Sequence, residues 1–241
     1  MPALSSARTI EAARAGWDAW RAARLAAVVA PTGNLALVET RWLSPGENQS
    51  PDEALAGAPA SVTATTLQRL DIDTGEPERG IRLWDADSPA IRHFVTIDAY
   101  PFNPDWVIEA GYSPLPGTHK VPFEHLRDNG GTRDLAVPGE ISFTLDGTDH
   151  VLHAFDDEDT LLLVFGDPTN GRETYGSGRF LKVPHEAGSD RVVLDFNRAY
   201  VPPCGFSAHY NCPLPPRQNR FGVPVHAGEK QPVFRDGYHL Y

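Results

Sequence analysis

The residues able to do chemistry crowd the last third of the chain. Asp195 and Tyr175 are a carboxylate and a phenol, the groups that a cofactor-free hydrolase or isomerase uses as acid and base. Arg179 and Arg220 can hold an anionic or carboxylate group through paired N–H bonds. Asn197, Asn219 and Tyr200 offer hydrogen bonds or a stacking ring, and Asp167 and Glu229 are further carboxylates. Asp195 closes the strand-like run Arg191-Val192-Val193-Leu194, where burial obliges a carboxylate to find a partner. It is the carboxylate expected in a pocket. Asp167 precedes Pro168-Thr169-Asn170-Gly171 and reads as a turn builder.

The segment 197–219 surrounds these residues and contains Pro202, Pro203, Pro213, Pro215 and Pro216. Proline has no N–H and a nearly fixed φ, so this loop cannot join a ladder and its carbonyls need other donors. Two readings stay open. The polar side chains brace a rigid loop, or the loop walls a pocket for a small polar or anionic ligand. On the pocket reading Arg179, Asn197, Tyr200, Asn219, Arg220 and Glu229 bind the ligand, and Asp195 with Tyr175 are the catalytic candidates. The main rival is an enzyme using Asp195 with Tyr175 or Arg179. A further rival is an interaction module built on the loop and the N-terminal helix.

Other chemistry is excluded or weak. No H-E-x-x-H or G-x-S-x-G occurs, and Tyr175-Gly176-Ser177-Gly178-Arg179 lacks the strand-to-helix context of a phosphate loop. Cys204 and Cys212 have no zinc-ligand spacing and are expected as thiols in a reducing compartment. His150 and His153 fall on opposite faces of a strand, and Asp156-Asp157-Glu158-Asp159 lacks a calcium-loop pattern. No metal and no cofactor are expected. The formal charge of −11 opposes nucleic acid as a partner. No apolar run is long enough to span a membrane, and Met1-Pro2-Ala3-Leu4-Ser5 opens without a secretory pattern, so a cytoplasmic location is expected.

These groups must be positioned by short strands. Residues 8–30 read as an amphipathic helix with Trp17 and Trp20 on one face, stopped by Pro31. Residues 47–60 read as a surface loop. Ile91, His93, Val95 and Ile97 alternate like a strand, with His93 as a sheet histidine. Asp146-Gly147 marks a hairpin turn, and Leu161–Phe165 is a fully buried central strand. Gly178–Val183 and Arg191–Phe196 read as a hairpin around 186–190. Turn signals recur at a spacing that gives roughly ten strands. The expected fold is mainly β, an antiparallel barrel or sandwich with an N-terminal amphipathic helix. The expected organisation is a helical segment, 1–34, packed on a single β domain, 35–241.

Three motifs carry a family resemblance. Phe165-x-Asp167-x-Thr169-x-Gly171-x-x-Thr174-Tyr175 leads into Gly178-Arg179-Phe180-Leu181. Asp195-Phe196-Asn197-x-Ala199-Tyr200-x-Pro202-Pro203-Cys204 follows, then Cys212-Pro213-Leu214-Pro215-Pro216, Asn219-Arg220 and Ala227-Gly228-Glu229-Lys230. Together they resemble the bacterial domain of unknown function 1684 family. The resemblance is specific over 163–230 and looser upstream. Val201 departs from it, since Asn is expected there. The resemblance implies no reaction.

Overall fold

The computed structural model describes residues 6–44, 46–70, 74–117, 120–125, 132–157 and 159–240. The opening Met1–Ser5 and Glu158 of the acidic run lie outside them. Helix α1 spans Ala7–Val28, matching the expected periodicity. Its first turn is tied by Ser6, whose hydroxyl accepts from Thr9 N.

The strands are β1 (Leu37–Trp42), β2 (Val62–Leu70), β3 (Pro77–Asp85), β4 (Phe94–Ala99), β5 (Val107–Pro114), β6 (Lys120–Glu124) and β7 (Thr132–Ala136). They continue as β8 (Gly139–Leu145), β9 (Thr148–Asp157), β10 (Thr160–Phe165), β11 (Arg179–Pro184), β12 (Arg191–Asp195) and β13 (Glu229–Phe234). The chain forms two compact units. The first comprises Met1–Arg21, Ile97–Pro202 and Cys212–Gln231; the second comprises Ala22–Thr96, Pro203–Asn211 and Pro232–Tyr241.

The first unit is a six-stranded antiparallel sheet in the order β11-β10-β9-β8-β5-β12. Its edge strands β11 and β12 approach each other, so the sheet is a nearly closed barrel. The mainly β expectation therefore holds. Asp146 and Gly147 both take positive φ (50° and 75°) and turn β8 into β9, as the Asp-Gly pair requires. β10 lies between β9 and β11 and is almost wholly buried, as its apolar run predicts. Phe143, Phe165, Phe196 and Phe221 meet in the core with centroids 5.6 to 6.1 Å apart, mostly edge to face. The second unit holds the sheet β1-β3-β2, with β3 central.

Three local expectations are corrected. β11 and β12 are not a hairpin: β11 pairs with β10 and β12 with β5. Barrel closure, not proximity along the chain, decides the pairing. His93 ends a helical turn, α3 (Pro89–His93), because Ser88 caps it through Ile91 N and Pro89 starts it; the strand begins only at Phe94. Within 47–60, α2 (Pro51–Ala54) forms behind a reciprocal Ser50–Glu53 capping box.

Candidate functional site

Arg179 enters at the start of β11 and is fully buried. Its Nη2 donates to Asp167 Oδ2 at 2.7 Å and to Val225 O at 2.8 Å. Its Nη1 donates to Ala227 O and, at 3.4 Å, to Glu229 O. Burial lowers the guanidinium pKa, and the Asp167 carboxylate opposes that shift. Asp167 also accepts from Thr169 N at 2.9 Å and Val225 N at 3.3 Å. The carboxylate that Arg179 holds is therefore the chain's own. The guanidinium clamps the turn 167–175 to the segment 225–229 through its two terminal nitrogens.

The other expected residues brace further joints. Asp195 caps a 3-10 turn, Phe196–Arg198, accepting from Asn197 N and Nδ2 and pairing with Arg198 Nε at 3.2 Å. It is not joined to Tyr175 or Arg179. Asn197 is buried and ties Asn103 at both ends, accepting from Asn103 N and donating to Asn103 O. Its own carbonyl accepts from Trp17 Nε1 at 2.8 Å. Asn219 is fully buried where β9 and β10 part beyond the Leu162–Phe155 pair. Its amide accepts from His153 N and donates to His153 O and Val164 O, acting as a substitute peptide group.

Glu229 is buried and accepts from Val201 N at 2.9 Å; Val201 is itself buried. Tyr200 exchanges backbone hydrogen bonds with Phe180 and packs edge to face on its ring. Tyr175 donates its N–H to Lys230 O and is half-buried. Arg220 is exposed. Arg179 and Glu229 thus come together, with the Tyr175 backbone beside them, while Asp195 with Asn197 and Asn219 each stand at a separate joint.

Two arrangements escaped the sequence reading. The first lies in the first unit. Tyr100 Oη donates to Glu173 Oε2 at 2.9 Å, and His226 Nε2 lies 3.8 Å from Glu173 Oε1. Lys230 Nζ sits 4.7 Å from the Tyr100 ring centroid and 3.4 Å from Asp98. Burial first, and the Glu173 bond second, push the Tyr100 hydroxyl up to about 12. The second arrangement is a cleft in the second unit, about 180 Å³, lined by Leu35, Leu37, Val38, Ser88–Ala90, Phe206–His209, Tyr238 and Leu240. Its only sequence signal was the Pro-rich loop, whose residues 206–209 form part of the lining. None of the eight expected site residues does.

The family described as "Protein of unknown function (DUF1684)" matches residues 92–230, more than half of the chain. The chain belongs to the DUF1684 family. A similar solved structure is the solution NMR structure of an uncharacterised protein from Haloarcula marismortui. It is 32% identical over 57% of this chain and 77% of that one, with a TM-score of 0.47. No curated protein matches the chain. In this DUF1684 member the matched span contains the Arg179–Asp167 clamp and the Tyr100–Glu173–His226 cluster. Much of the cleft's lining, at 35–38, 88–90, 238 and 240, falls outside it. Among the described residues no group of His, Cys, Asp or Glu is arranged to hold a metal ion, and no helix is long and apolar enough to cross a membrane. Cys204 and Cys212 are buried as thiols.

Proposed function

We propose that the protein is a small-molecule-binding β protein whose ligand occupies the cleft of the second unit, walled on one side by residues 206–209 of the Pro-rich loop. One observation carries the reading. That loop stretch lines a concave space whose exposed lining is shared equally by polar and apolar atoms. Ligand sites are concave and combine apolar walls with convergent polar groups. The wall is held in place before any ligand arrives: Ser207 Oγ donates to Leu37 O at 2.7 Å, Thr40 Oγ1 donates to His209 O, and Arg24 stacks on Phe206.

The lining changes the expected ligand. Ser88 Oγ donates to Leu35 O and Ser207 Oγ to Leu37 O, so Tyr238 is the side chain suited to orient a ligand. The volume is below the roughly 300–1,000 Å³ of drug-sized sites. The reading is a compact molecule with both an apolar face and a hydrogen-bonding group, in place of the anionic ligand that Arg179 and Arg220 suggested. Indole is a suitable probe. Titrated into the labelled full chain and followed by NMR, it should give saturable amide shifts confined to 35–38, Ser88, Ala90, 206–209 and 238–240. Ala208→Phe, which fills the cleft, should abolish them. Shifts that are scattered, or that survive Ala208→Phe, overturn the reading.

A further inference from the structure

We propose that Tyr100, Glu173 and His226 form a general acid–base site for hydrolysis of a small neutral ester, with His226 as the proton acceptor. The site uses none of the cleft's residues. Three features carry it.

The carboxylate stands between a phenol and an imidazole, and each neighbour faces a different oxygen. Tyr100 Oη donates to Oε2, and His226 Nε2 lies in ion-pair range of Oε1. Tyr100 keeps its proton to well above neutral pH, so its hydroxyl remains a donor to Glu173 Oε2. At 3.8 Å the carboxylate is too far to hydrogen-bond Nε2 and acts through its charge, stabilising the imidazolium when that forms. Nδ1 is left for the substrate.

The imidazole and its carboxylate are open while the phenol behind them is not. Glu173 and His226 side chains are 51% and 52% exposed, whereas Tyr100 is buried. A solute can therefore reach the imidazole without displacing the core.

The supports hold the pair in register. Arg179 grips the carbonyls of Val225 and Ala227, the residues on either side of His226. Its ion-pair partner Asp167 opens the turn that carries Glu173, and that turn is closed by Arg172, Glu173 and Thr174 N–H groups converging on Thr169 O. Tyr100 N donates to Gly228 O. One buried clamp therefore fixes the base and its carboxylate relative to each other. This gives the fully buried Arg179 a role as a positioning residue.

In the step, water adds to the acyl carbon as Nδ1 takes its proton. The bond to the leaving alcohol then breaks, and the proton returns to that oxygen. Acid and alcohol depart, and His226 is neutral again. With 4-nitrophenyl acetate the leaving phenolate needs no proton, and His226 releases its proton to solvent.

The test is hydrolysis of 4-nitrophenyl acetate by the full chain, with H226Q, E173Q and the exposed-histidine control H239Q, each checked for folding by circular dichroism. H226Q should lower kcat/KM about 10²-fold, the lower end of general-base effects, and H239Q should leave it unchanged. E173Q should lower kcat with KM unchanged while its circular dichroism matches wild type, so that a smaller folded fraction does not account for the loss. Wild type should show a solvent deuterium isotope effect that H226Q lacks. A wild-type rate equal to that of H226Q, or an E173Q chain with unaltered kcat, overturns the proposal.

Discussion

Arg179 and Asp167 are a buried ion pair with both side chains fully covered. Such a pair is costly to break from one side because the survivor is left charged and unpaired. Arg179→Met and Asp167→Asn should each destabilise the protein by about 3–5 kcal/mol. The double variant Arg179→Met/Asp167→Leu should lose less than the two single losses added together, as urea unfolding of all four proteins would measure. Asn219 poses a similar case without charge. Asn219→Ala leaves His153 N, His153 O and Val164 O without the side-chain partner they have. At about 1–3 kcal/mol for each unsatisfied buried group, a loss of about 3 kcal/mol or more is expected from the same measurement.

Tyr100 gives a pH prediction. Its folded pKa, near 12, lies above the ordinary value of 10.0, so the folded state holds the proton more tightly than the unfolded chain does. That contribution is complete below pH 10 and disappears as pH rises to 12. Wild type should therefore lose its stability advantage over Tyr100→Phe across that window. Urea midpoints of the two proteins, taken in steps through it, should converge.

At the scale of elements, some of the structure is written locally and some is not. The helix Ala7–Val28, the Asp146-Gly147 turn and the buried β10 follow from neighbouring residues and were legible. The β11–β12 pairing was misread because two adjacent strands with a turn between them look like a hairpin, while ladder partners come from elsewhere in the chain. The polar residues of 167–229 were legible as important and as possible braces. Their partners were not legible: the carbonyls that Arg179 grips lie almost fifty residues away in the sequence, and nothing local announces them. Glu173 and His226 were passed over for the same reason: Glu173 falls at an unspecified position of the first motif and His226 just before the last.

Gly228 belongs at this scale because it shapes the turn into β13. Its φ is +79°, and a Cβ there would lie 2.5 Å from Ala199 O and 2.8 Å from Phe196 O. Those neighbours are backbone and cannot swing away. Gly228→Ala should therefore destabilise by more than the roughly 1–2 kcal/mol of the left-handed conformation alone. Thermal unfolding beside the unobstructed Gly188→Ala, also at positive φ, separates the clash from the conformational cost.

At the scale of the whole molecule, the first unit carries the Tyr100–Glu173–His226 cluster and the second carries the cleft. The polar residues of the last third, which look like a site in the sequence, mostly hold carbonyls and N–H groups of their own chain. The cleft in the second unit is small and walled by a rigid stretch of the Pro-rich loop. A protein that keeps a compact molecule there should carry it through gentle purification. Native mass spectrometry of the full chain, purified without metal affinity and set beside its denatured intact mass, measures this directly. The predicted result is a native mass that exceeds the denatured one by a single small organic molecule, an excess that Ala208→Phe removes. Equal native and denatured masses, or an excess that persists in Ala208→Phe, would contradict a ligand held in the cleft.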